Sequence, residues 1–162
     1  MPATMPEVRD FLALRRIAII GVSRDPKDFS RYLLRQMCDK GYDIVPVNPA
    51  ASDIDTKQCF ARVQEIEPPV EGALIMTSPH DTERVVRDCA EAGIRHIWMH
   101  RGGGPGSVSP EAVKLCHQYG LHLVEGHCPL MFLTHTPFYH RIHGFLLKLT
   151  GSYPHEALST AR

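Results

Sequence analysis

The residues best suited to chemistry in this chain stand where an apolar run breaks off. Ile17-Ala18-Ile19-Ile20 passes directly into Gly21-Val22-Ser23-Arg24-Asp25-Pro26, which reads as a strand, a glycine turn and a polar loop leading into a helix. Such a turn aims main-chain N–H groups and the positive end of a helix dipole at one place, an arrangement that suits a phosphate. Arg24, Lys27 and Arg31 follow, and their charges fit either phosphate pairing or a solvated helix entrance. A second apolar run, Asp43 to Val47, ends at Asn48-Pro49. The dinucleotide fingerprint asks for G-x-G-x-x-G and an acidic residue near that second strand tip. Here Gly21 is followed by Ser23 where the next glycine would stand, and Asn48 replaces the acid. A neutral amide disfavours a 2′,3′-diol held as in NAD, and it is compatible with a ribose that carries a 3′-phosphate.

Other candidates fall at corresponding strand ends. Thr77-Ser78-Pro79 follows the third strand; its hydroxyls cap a helix, contact a ligand, or both, and Asp81 is a second capping candidate. Trp98, the single tryptophan, either floors a pocket or fills core. The loop Arg101 to Gly106 resembles a phosphate loop in composition but lacks the Gly-Lys-Ser/Thr ending, so nucleotide hydrolysis gains little support. Histidines gather late in the chain, at His117, His122, His127, His135, His140 and His143. No H-E-x-x-H pattern or spaced carboxylate accompanies them, so packed or hydrogen-bonded histidines are expected rather than a metal site. Cys128 follows the last strand, as a reactive thiol with a lowered pKa or as a plain buried one. Spacing alone aligns no nucleophile, base and carboxylate, so it gives no positive sign of catalysis.

These residues need a frame. Residues 5 to 15 read as an entry helix. Strands are expected at Arg16–Ile20, Tyr42–Val47, Gly72–Met76, His96–Met99 and Leu121–Val124, with a weaker segment around Cys59 to Ile66. Helices fit between them, from about Ser30 to Lys40, from Pro79 to about Ala92, and from Pro110 to Tyr119. The alternation argues for a parallel sheet with helices on both faces. Beyond Glu125 the pattern changes to an apolar loop and an amphipathic helix over Phe138–Leu149, with Tyr139, Ile142, Phe145, Leu146 and Leu149 near one side.

Composition narrows the class. A chain of 162 residues fits one domain, and at that size about 70% of the unfolded surface is buried without help from disulfides or metal. Lys plus Arg number 18 and so do Asp plus Glu, so no basic excess drives nucleic-acid binding. The start of the chain lacks the apolar core of a signal peptide, and no run is long enough to span a membrane. A cytoplasmic protein without nucleic-acid or membrane partners is therefore expected. The five cysteines are widely spaced with no C-x-x-C, which predicts reduced thiols packed as small apolar groups.

The chain resembles small CoA-binding proteins of the Rossmann type, and is similar to the N-terminal CoA-binding domain of the succinyl-CoA synthetase alpha subunit. The likeness rests on Ile17 to Ser23 with Asp25-Pro26, on Gly41 to Pro49, on Ile97-Trp98-Met99, and on Gly120 to Glu125 with Cys128. It implies a single doubly wound α/β domain over residues 16–128 with a five-stranded parallel sheet, preceded by the helix of 1–15 and followed by a C-terminal extension over 129–162. It also implies coenzyme A, or an acyl-CoA, laid across the carboxyl edge of the sheet. By position, Gly21, Val22 and Ser23 would touch pyrophosphate or ribose. Asn48, Pro49 and Thr77 would line the nucleoside, and Arg24 or Arg31 would meet phosphate. Ser78 and Trp98 complete the candidate contacts. The synthetase's phosphohistidine belongs to a second domain not matched here, so the expected role is binding without chemistry of its own. Two alternatives stand beside it: a Cys128-dependent redox or CoA-thiol switch, and an NAD(P)-binding regulator. The Gly102–Gly106 loop departs from the family's usual opening after the fourth strand. The C-terminal helix is expected to cap the sheet or to form a homodimer contact.

Overall fold

Alternation of side chains along the first strand decides the architecture. Ile17 and Ile19 point to one side of β1 (Arg16–Ile20) while Ala18 and Ile20 point to the other, and all are buried. A strand covered on both faces belongs inside a parallel sheet with helices above and below. The computed structural model describes residues 3–102 and 104–133, and within them it shows that arrangement.

Among the described residues the strands are β1, β2 (Asp43–Val47), β3 (Asp53–Ile54), β4 (Lys57–Gln58), β5 (Gly72–Ile75), β6 (His96–His100) and β7 (His122–His127). Five of them form one sheet in the order β2-β1-β5-β6-β7, every pairing parallel. β3 and β4 form a small antiparallel hairpin apart from it. Beyond β2, Phe60 makes a single parallel bridge to Val47, with Asn48 N–H donating to Phe60 O at 2.9 Å and Phe60 N–H to Pro46 O at 3.1 Å. The Rossmann-like outer strand on that side is thus reduced to one rung.

The helices α1 (Met5–Leu12), α2 (Phe29–Asp39), α3 (Pro79–Glu91) and α4 (Pro110–Gln118) divide between the faces. Phe11 of α1 and Leu33, Leu34 and Met37 of α2 pack with Ile17, Ile19, Leu74 and Trp98. On the other face Val85, Val86 and Cys89 of α3 and Ala112, Leu115 and Cys116 of α4 pack with Ala18, Ala73, Ile97 and Leu123. Starts and stops follow local chemistry. Thr4 and Glu7 form a reciprocal capping box at α1, Asp28 caps α2, and Ser109 caps α4 with Pro110 in the first turn.

The doubly wound α/β sheet expected from the sequence is therefore present. Two features differ from expectation. The β3–β4 hairpin was not foreseen, because two-residue strands carry no readable period. β7 runs on to His127, past Val124, because an irregularity between Met99 and His100 lets the ladder continue through Gly126 at φ +79°. The helix expected over 138–149 lies outside the described residues. Among those described, no helix is long and apolar enough to cross a membrane.

Candidate functional site

Three neighbouring strand tips are tied together by hydrogen bonds at the carboxyl edge. Gly21 N–H donates to Val47 O at 3.0 Å, and Met76 N–H donates to Ile20 O at 2.8 Å. Asn48 adds a side-chain strut: its Nδ2 donates to Val22 O at 2.7 Å and its Oδ1 accepts Ala50 N–H at 2.8 Å. Gly21 is what permits this closeness. It sits at φ +94°, and a Cβ there would come within 2.9 Å of Thr77 N and 3.0 Å of the Met76 carbonyl carbon. From β1 the chain passes to β2 on one side, then crosses back to β5 on the other, so the junction of the β1 and β5 tips is the topological switch point where open α/β sheets take ligands. Of the expected contacts, Val22 and Asn48 meet there, as do Gly21 and Thr77; Ser23 and Pro49 adjoin them in the chain.

The turn itself is more occupied than the sequence suggested. Ser23 N–H donates to Ser30 Oγ at 2.9 Å, Asp25 N–H to Ser23 Oγ at 3.1 Å, and Lys27 N–H to Asp25 Oδ1 at 2.9 Å. Asp28 Oδ1 takes both the N–H (2.8 Å) and the hydroxyl (2.5 Å) of Ser30. The main-chain N–H groups and helix dipole expected to point at a phosphate thus have partners within the chain. A carboxylate of the chain itself stands at the amino end of α2. Positive charge at the turn comes instead from the exposed side chains of Arg24 and Lys27.

Arg31, one of the expected phosphate contacts, is engaged within the chain. It is only 7% exposed. Nη2 and Nε meet Asp55 Oδ1 and Oδ2 at 2.5 and 3.3 Å, and Nη1 reaches the carbonyls of Arg24 at 3.1 Å and Ser23 at 3.3 Å. The mutual hydrogen bond holds the Asp55 carboxyl below and the Arg31 guanidinium above their usual pKa ranges.

The remaining candidates separate. Thr77 Oγ1 lies 3.2 Å from Thr82 Oγ1. Ser78 is the N-cap residue of α3 by backbone position, yet its hydroxyl donates to Asp81 Oδ2 at 2.8 Å rather than accepting a helix N–H. Trp98 is a core residue, not a wall of the switch point: it is fully buried, edge-to-face with Phe11 at 5.2 Å, and its Nε1 donates to His127 O at 2.8 Å. The end of the glycine loop is pinned to the sheet, with Ser107 Oγ 2.8 Å from Ile75 O and its N–H donating to His100 O at 2.8 Å. Cys128 is buried, and burial pushes its thiol up to about 11, away from the lowered value a reactive cysteine needs. An open groove of about 690 Å³ lies between α3 and the start of α4, lined by Arg84, Arg87, Pro110 and Glu111 among others. Asp55, Ser30 and Ser107 hold the site's loops and were not foreseen, since each reaches a partner well separated from it in sequence: Arg31, Ser23 and Ile75.

A family model described as a CoA binding domain matches residues 15–134. The chain belongs to the CoA-binding domain family. It is 24% identical over 132 residues to the ADP-forming acetate–CoA ligase II subunit alpha of Pyrococcus furiosus, covering 77% of this chain and 29% of that one. The chain therefore spans less than a third of that ligase subunit's length. It is 24% identical over 123 residues to the uncharacterized protein YneT of Bacillus subtilis, covering 75% of this chain and 88% of YneT. Among solved structures, a hypothetical protein from Pyrococcus horikoshii superposes with a TM-score of 0.72 at 24% identity, covering 80% of this chain and 91% of the other. The family expected from the Gly21 and Asn48 stretches is the family found.

Proposed function

We propose that this domain binds coenzyme A, free or acylated, at the switch point between the β1 and β5 tips, and contributes no chemistry of its own. The observation that carries the reading is the Asn48 strut. At the β2 tip, where a carboxylate would grip the ribose diol of NAD, a neutral amide is locked between Val22 O and Ala50 N–H. An aspartate could not donate to Val22 O, so the strut and the neutral charge go together. The electrostatics there suit a ribose bearing a 3′-phosphate, and Arg24 and Lys27 stand exposed on the adjoining turn for the diphosphate. Membership of the CoA-binding domain family supports the same ligand.

A thermal-shift titration with CoA and with NAD tests this. A ligand that binds only the folded state adds about 2.7 kcal/mol at a hundred times its Kd, which corresponds to a rise of roughly 5–11 °C for a domain of this size. CoA is expected to give such a rise and NAD none. A shift with NAD and none with saturating CoA would overturn the proposal.

A further inference from the structure

The β3–β4 hairpin has a turn that local chemistry does not favour. Asp55 and Thr56 both adopt left-handed backbone, at φ 47° and 64°; aspartate tolerates it, but at the second position, where glycine is usual, a β-branched residue is out of place. Unfavourable backbone of this kind persists when surrounding contacts over-determine it. Those contacts are visible. Asp55 is held bidentately by Arg31 and approached by Arg35 Nε at 3.7 Å, while Ile54 anchors the hairpin in the core. The other half of the Arg31 guanidinium reaches Ser23 O and Arg24 O, and Arg35 Nη2 donates to Pro26 O at 2.8 Å. Two arginines on α2 thus link the hairpin tip to three successive parts of the turn beside the switch point.

We propose that Arg31 and Asp55 form a clamp that sets the shape of the Ser23–Lys27 turn, so that Arg31 is a positioning residue for the ligand and not one of its contacts. By fixing the carbonyls of Ser23 and Arg24 against the buried guanidinium, the clamp leaves the Arg24 side chain and the Ser23 hydroxyl to face the ligand in one arrangement. Part of the prediction rests on the CoA reading above; the shape of the turn does not. Simple electrostatics opposes the clamp: removing an acid near an anion site should tighten binding, whereas releasing the turn should weaken it.

The test uses Asp55→Gly and Asp55→Asn in the full chain. Glycine suits the left-handed backbone, so Asp55→Gly removes the clamp while easing the hairpin turn. Two quantities are measured: hydrogen exchange of the Ser23, Asp25 and Lys27 amides without ligand, and CoA affinity by titration calorimetry. In Asp55→Gly, faster exchange at these amides and about tenfold weaker CoA binding are expected, equivalent to the loss of one charge-assisted contact. Asp55→Asn should also bind CoA more weakly than the wild type. Unchanged exchange, or CoA affinity equal to or above that of the wild type in either variant, would overturn the clamp and leave the CoA reading standing. Absence of CoA binding by the wild type would overturn the CoA reading, and the exchange rates would still decide the clamp.

Discussion

At the scale of single residues, Gly21 carries the closest tolerances. Its positive φ and the approach of Thr77 N leave no room for a side chain. Gly21→Ala is expected to destabilise the fold by about 2 kcal/mol or more, through left-handed strain and the forced separation of two strand tips. Urea denaturation should show this as a lower midpoint at unchanged slope; an unmoved midpoint would mean the tips are not packed as described. Cys128 yields a second expectation. A thiol pushed up to about 11 holds roughly one part in a thousand as thiolate at pH 8, and the remaining cysteines are shifted upward by burial as well. In the native protein Cys128 should stay unmodified by a disulfide reagent such as Ellman's or CoA disulfide, and all five thiols should react in denaturant. Rapid native labelling of Cys128 would revive the redox reading.

At the scale of elements, the amino-terminal ends of β6 and β7 bring His96 and His122 into a stacked pair, ring centroids 4.7 Å apart. Desolvation, and then the neighbouring imidazole, lower the pKa of His96, with Asp10 of α1 opposing. The unfolded chain therefore binds more protons than the native one near the ordinary histidine value of about 6.5. The share of stability linked to His96 is complete above that pH and is lost as pH falls below it. His96→Gln should flatten the decline in unfolding free energy on the acid side of pH 6.5; an unaltered pH profile would remove His96 from the account.

How much of these elements the sequence disclosed follows from how local their causes are. The buried run at Ile17–Ile20 and the Ser109-Pro110 start are readable because neighbours in sequence create them. Asn48 could be read as a neutral tip but not as a strut, because its partner Val22 lies in the turn after β1, 26 residues earlier in the chain. Arg31 looked like a phosphate ligand because its charge is visible in sequence, whereas its partner Asp55 sits in a hairpin without the Asn-Gly signal that would reveal it. Trp98 was ambiguous for a similar reason: the face it occupies depends on where α1 docks.

At the scale of the whole molecule, everything with a claim on a ligand gathers at one end of the sheet. The stacked histidines mark the opposite end. Two places compete for a ligand: the switch point at the β1 and β5 tips, and the groove between α3 and α4. Topology and the Asn48 strut favour the switch point, and the placement of coenzyme A there is the central claim. A crystal structure of the protein soaked with coenzyme A addresses it directly. The account predicts the diphosphate beside Ser23 and Arg24 and the 3′-phosphorylated ribose beside Asn48. Coenzyme A seated in the α3–α4 groove with the Gly21 turn untouched would contradict it.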